Sequence, residues 1–180
     1  MDLGKDAFGQ DCFALFGLPR RFALDATELE LHYRDLQARV HPDKFAHGSE
    51  ADRRQAMQWS THVNEAYLTL KVPLKRAQYL LHLAGHDPQV ENNTAMPMEF
   101  LVEQMEWREA VAEARAAADA GELDHLHHRM RKEISTQYES LHQALDEQQD
   151  YPRAADLVRQ LMFQEKLLHE IDDALEAVEA

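Results

Sequence analysis

The sequence predicts an all-α chain of two helical units, and three observations carry that reading. Ala, Leu, Glu, Gln and Arg dominate while Gly and Pro supply six residues each among 180, a composition that favours helix. Apolar residues recur at steps of three and four over most of the chain. Prolines at 42, 73, 97 and 152 punctuate that pattern, because a residue without an amide donor ends a helix or sits in its first turn.

In the first half four helical segments follow from the pattern. Phe13, Leu15, Phe16 and Leu18 make a short apolar start closed by Gly17 and Pro19. Asp25, with Glu28 three residues on, has the arrangement of an acid-started capping box. The helix behind it carries Leu29, Tyr33, Leu36 and Val40 on one face and stops at His41, which precedes Pro42. A polar loop runs through Gly48. Ser49 then caps a long helix with Ala56, Trp59 or Ser60, Val63, Tyr67 and Leu70 inside, ended by Val72-Pro73. Leu74, Ala77, Leu80 and Leu81 continue a fourth helix to about Gly85.

Residues 87–96, with Pro88, Asn92, Asn93 and Thr94, read as a linker, and three long helices follow over about 97–118, 122–146 and 152–178. (Asn92-Asn93-Thr94 matches a glycosylation sequon, but nothing in the sequence indicates secretion.) Pro97 and Pro152 suit first turns and Gly121 suits a helix end. The second of these helices has Leu123, Leu126, Met130, Ile134, Tyr138, Leu141 and Leu145 on one stripe; the third has Leu157, Leu161, Leu168, Ile171, Leu175 and Val178. Short connections make the neighbours antiparallel and the unit a three-helix bundle.

Charge narrows the function classes. Residues 1–90 hold 11 Lys/Arg against 12 Asp/Glu, and residues 91–180 hold 8 against 21, within a formal net charge of −14. So acidic a second half repels nucleic acid and anionic membranes and suits a basic partner. No apolar run approaches the ~20 residues of a membrane helix, and residues 1–10 lack the apolar core of a secretory signal. One cysteine, Cys12, excludes an internal disulfide and any CxxC site, which points to a reducing, cytoplasmic setting.

His41-Pro42-Asp43-Lys44-Phe45 is the chemically informative stretch. It joins two helices, and its first three side chains lie off the apolar stripe, so packing does not require them. No nucleophile, oxyanion donor or third orienting group accompanies them, so catalysis is not their role. An exposed His-Pro-Asp between two helices resembles the J-domain, which drives ATP hydrolysis in DnaK-type chaperones. The resemblance extends from Asp11 to the C-terminus. The run from Asp11 to Pro19, Asn64-Glu65-Ala66-Tyr67, Pro73 to Leu81, Phe100 to Glu106 and Arg108-Glu109 are all similar to the HscB family, the J-type co-chaperones of bacterial iron–sulfur cluster assembly.

That resemblance implies an L-shaped, two-domain co-chaperone that is not itself an enzyme. Residues 1–10 form an extension, 11–86 the J-domain, 87–96 the linker and 97–180 a scaffold-binding three-helix domain. His41, Pro42, Asp43, Lys44, Arg34 and Arg39 would engage an HscA-type chaperone ATPase. That basic patch is thin, because Glu28, Glu30 and Asp35 share its helix, which fits a dedicated chaperone better than a general one. The partners implied are that chaperone and the IscU scaffold, with no nucleic acid, membrane or cofactor. The alternative is a general J-protein delivering unfolded chains to DnaK, which would want a broader apolar groove.

The first bundle helix has two apolar faces. At about 100° per residue, Phe100, Trp107, Val111 and Ala114 share one stripe, while Leu101, Val102 and Met105 lie roughly 100–160° away with Glu106, Glu109 and Glu113. Phe163 is about 160° off the stripe of the third helix. An apolar outer face rimmed by acids marks a partner site, and packing on the J-domain or linker is the structural alternative. The family places its scaffold surface at these seven positions: Leu101, Val102, Met105, Glu106, Glu109, Glu113 and Phe163. Val102 stands where the family often has a longer side chain. His125, His127 and His128 supply one ligand pair at best, so no metal site is expected. Cys12 reads as a packed thiol.

Overall fold

The computed structural model describes residues 10–88 and 96–179, and all its regular elements are helical. Residues 1–9, 89–95 and 180, which include nearly all of the expected extension, most of the expected linker and the sequon, lie outside the described residues. The backbone divides after Leu80 into two compact units. That division falls inside a continuous helix, ahead of the composition break at residue 87, because composition marks where the chain stops being regular and not where its contacts thin out.

The first unit begins with α1 (Cys12–Leu15), started by the Asp11 carboxylate accepting from the Ala14 amide at 2.9 Å. In α2 (Ala26–Val40) Asp25 accepts from the Thr27 and Glu28 amides at 2.8 and 3.2 Å. Ser49 opens α3 (Glu50–Lys71) with a reciprocal box: its hydroxyl accepts from the Asp52 amide at 3.1 Å and its amide donates to Asp52 at 3.0 Å. Each cap satisfies helix donors that would otherwise be orphaned, contributing about 1 kcal/mol. Val72-Pro73 breaks the chain into α4 (Pro73–Leu83).

α2 and α3 form an antiparallel hairpin. Leu29, Leu36 and Val40 are buried against Ala56, Trp59, Val63, Ala66 and Leu70, so Trp59 and not Ser60 takes the inner position. A polar ladder fixes the register along one edge. Tyr33 stacks on Tyr67 at 3.9 Å between centroids and donates to Asn64 at 2.8 Å. Four residues on, Gln37 bonds Asn64 and accepts from the Ser60 hydroxyl at 3.3 Å. Phe13, Phe16 and Leu18 close the core together with Phe22, which belongs to no periodic pattern. Arg76 explains it: the guanidinium lies 5.0 Å over the Phe22 ring and donates to the Leu70 carbonyl at 2.6 Å, binding loop and α4 to the end of α3.

The second unit contains α5 (Met98–Ala116), α6 (Ala120–His142) and α7 (Tyr151–Glu179). Pro97 is the residue before α5 and not its first turn. Gly121 does not end a helix: Asp119 caps α6 by accepting from the Glu122 amide at 3.0 Å, which places Gly121 inside the first turn. The left-handed residue closing α5 is Ala118, at φ 52°, with the Asp119 amide donating to the Ala114 carbonyl at 2.9 Å. The α-helical part of α6 stops at His142, and Gln143–Gln148 widen into a π turn that keeps Ala144 and Leu145 buried.

The stripe expected on α7 is also corrected. Ala154, Ala155, Val158, Leu161, Gln164, Leu167, Ile171 and Ala174 are buried, whereas Leu157, Leu168, Leu175 and Val178 are only half-buried. The buried positions step mostly by three, less than the 3.6-residue turn, so the covered face is wide: α6 meets it at Gln160 and Asp172, and α5 at Phe163 and Glu170. α6 and α7 are antiparallel, with Gln137 bonding Gln160 at 2.7 Å and His127 lying 3.1 Å from Asp172. α5 and α7 run parallel: Phe100 meets Phe163, and seven to eight residues on, Arg108 meets Glu170 at 3.4 Å.

Candidate interaction surfaces

The first surface is the turn between α2 and α3. His41 is extended at φ −55° and ψ 129° because Pro42 follows, and Pro42–Phe45 form one tight 3-10 turn. The Lys44 amide donates to the His41 carbonyl at 3.0 Å, and the Gly48 amide to Phe45 at 2.8 Å. His41 itself caps the turn, its Nδ1 accepting from the Asp43 amide at 3.3 Å with an Asp43 carboxylate oxygen 3.5 Å away. The Asp43 side chain keeps 90% of its surface exposed. The turn is thus held by its own backbone and by the imidazole, while its carboxylate has no packing role.

Arg34 and Arg39 are exposed on α2, but each answers an acid on its own helix: Arg34 bonds Glu30 at 2.8 Å and Arg39 lies 3.9 Å from Asp35. The Tyr67 hydroxyl, then Arg34, hold the Glu30 carboxyl below its ordinary value. Such exposed i,i+4 pairs add little to stability, and they leave little free positive field beyond Lys44, which is exposed on the turn.

The second surface is the outer side of α5 with the neighbouring part of α7. Leu101, Val102, Met105 and Phe163 are all exposed, Met105 to 70%. Phe163 lies against the buried Phe100, ring centroids 6.2 Å apart and planes at 81°. It is therefore on the margin of the core and not opposite it, because α5 as well as α6 packs on this stretch of α7. Glu106, Glu109 and Glu113 are exposed on the same side of α5. Two further exposed residues escaped the sequence reading: Met98, at 74%, one turn before Leu101, and Met162 beside Phe163. The i−3 spacing of Met98 from Leu101 is the signal that could have found it.

Remaining candidates fall outside both surfaces. His125 lies 3.8 Å from Glu122, and His127 answers Asp172 on another helix. Among the described residues no three His, Cys, Asp or Glu converge to hold a metal ion. Cys12 is half-buried, and burial pushes its thiol pKa up. Its amide donates to the Tyr79 oxygen at 3.0 Å, and burial likewise moves that phenol up to about 12. No helix among the described residues is long and apolar enough to cross a membrane.

Known proteins resemble the chain over nearly its whole length. Residues 96–172 match the family model described as the HSCB C-terminal oligomerisation domain. The co-chaperone protein HscB homolog of Aromatoleum aromaticum is 57% identical over 170 residues, covering 94% of this chain and 96% of that protein. The Chromobacterium violaceum homolog is 53% identical over 95% of this chain and 97% of its own. Among solved structures, the chaperone HscB from Vibrio cholerae superposes with a TM-score of 0.83 at 39% identity, covering 94% of this chain and 99% of that one. Human co-chaperone protein HscB gives 0.85 at 29% identity, over 91% and 81%. A helical hairpin presenting His-Pro-Asp, followed by a separate bundle, defines a J-type co-chaperone. The chain belongs to the HscB family.

Proposed function

We propose that this co-chaperone serves iron–sulfur cluster assembly by carrying an IscU-type scaffold to an HscA-type chaperone and stimulating that chaperone's ATPase. The supporting observation is that one chain carries both an exposed, internally braced His41-Pro42-Asp43 turn and an exposed apolar face rimmed by glutamates. In this reading residues 11–86 act as the J-domain, with Arg34, Arg39 and Lys44 docking and the turn triggering hydrolysis. Residues 97–180 hold the scaffold through Leu101, Val102, Met105 and Phe163, while Glu106, Glu109 and Glu113 orient a basic partner. Holding both partners on one chain makes their encounter effectively intramolecular. The protein works in the cytoplasm and catalyses no reaction of its own.

The test is steady-state ATP hydrolysis by an HscA-type chaperone with this protein, with scaffold, and with both. The proposal expects stimulation far above the sum of the two separate additions. Stimulation that ignores the scaffold would favour delivery of general unfolded chains, and no stimulation would refute the J-type role.

A further inference from the structure

The bundle breaks the rule of an apolar core at two places. Gln104 on α5 is 2% exposed and Gln164 on α7 is 5% exposed, and neither side-chain carbonyl accepts a hydrogen bond from the protein among the described residues. The parallel register sets both within one stretch of the α5–α7 pair. Phe100 meets Phe163 at one level and Arg108 meets Glu170 at the next, and Gln104 and Gln164 both fall between those two contacts. Gln164 directly follows Phe163, and Gln104 directly precedes Met105. The unmet acceptors thus lie under the exposed face proposed to bind the scaffold, on the two helices that build it.

A buried carbonyl without a partner is destabilising, whereas an apolar side chain of similar size at the same place would not be. Elsewhere the bundle follows that preference, filling its core with Leu, Ile, Val, Met and Ala. Buried polar groups that protein atoms leave unmatched are ordinarily matched by enclosed water. Local rules of packing also tend to fail at functional sites and not at random.

We propose that Gln104 and Gln164 form a hydrated polar seam between α5 and α7, and that this seam aids scaffold binding by letting Phe163 and the outer face of α5 adjust against the partner. The glutamines are positioning residues: they touch no partner and act through the two helices. The inference rests on the scaffold-binding reading above.

Full-length Gln104→Leu, Gln164→Leu and the double variant test it, by thermal unfolding and by titration with an IscU-type scaffold. The expected result is opposite movement of the two readouts. Melting rises by about 2–4 °C, and scaffold affinity falls about fivefold or more. ATPase stimulation without scaffold stays at its original level. Unchanged affinity in folded, stabilised variants would overturn the inference and leave the scaffold reading intact. Lower melting temperatures would also overturn it, since they would show the amides to be required by the fold itself. Absence of scaffold binding by the unsubstituted protein would overturn both.

Discussion

Phe163 meets Phe100 edge to face, ring centroids 6.2 Å apart and planes at 81°. One ring is buried in the bundle and the other is 39% exposed, so a single aromatic contact links the core of the second unit to its outer face. An edge-on pair is favoured by the ring quadrupoles, and it holds Phe163 in place without burying it.

Truncating this anchor together with Leu101 should separate binding from folding. Leu101→Ala with Phe163→Ala removes exposed surface at the centre of the patch, where anchor residues typically account for about 2 kcal/mol or more each. Scaffold affinity measured by calorimetry should fall at least about 100-fold, while far-ultraviolet circular dichroism remains helical. Unaltered affinity would remove the patch assignment.

Asp43→Ala should do the converse. The carboxylate is 90% exposed and the turn is closed by backbone bonds, so the variant folds and binds scaffold normally. ATPase stimulation in the chaperone assay should disappear. A loss of scaffold binding would contradict the division of labour between the two units.

In the scaffold-binding proposal the glutamates of the patch act at a distance. Changing Glu106, Glu109 and Glu113 to Gln should slow association with a basic scaffold more than it speeds dissociation, and should flatten the salt dependence of the on-rate. Stopped-flow mixing at two ionic strengths distinguishes this from a loss of contact, which would appear in the off-rate.

Ala118 closes α5 at φ 52°, a conformation in which a β-carbon is crowded and glycine is not. Ala118→Gly should therefore stabilise the protein by about 0.5–1 kcal/mol, read as a higher urea midpoint at unchanged slope. An equal or lower midpoint would show that the left-handed turn carries no such cost.

Acid sensitivity has a local source at the start of α1. Burial raises the pKa of Asp11, but the Ala14 amide and the Arg20 guanidinium outweigh it and hold the carboxyl below its ordinary value. A carboxyl depressed in the folded state binds fewer protons there than in the unfolded chain. Its stabilisation is present above the unfolded value and is lost as pH falls through the folded one. Urea midpoints should therefore drop below about pH 4, and Asp11→Asn should show a shallower drop there with lower stability at neutral pH. A parallel pH profile would assign the effect to other acids.

The helices were legible from sequence because caps and periodicity are local properties. Asp25, Ser49, Pro42 and Pro73 mark boundaries through donors they bond or lack within one turn. The exposure of His41 and Asp43 followed from their place in a turn between two helices, and that of Leu101, Val102 and Met105 from their angle on a single helix. Gly121 misled because its composition signal ignored the stronger cap at Asp119.

What one helix cannot know is which part of its surface a neighbour covers. Phe22 is buried, and the residue over its ring, Arg76, is distant in sequence. Leu168 and Leu175 reach the margin of the core, and Gln164 its interior, because α7 packs against two helices over the same length. The sequence by itself determined helices, turn and charge, since these depend on residues within a few positions of one another. Only tertiary packing decided the placing of Phe163 and the burial of Gln104 and Gln164, since covering a side chain takes atoms from elsewhere in the chain.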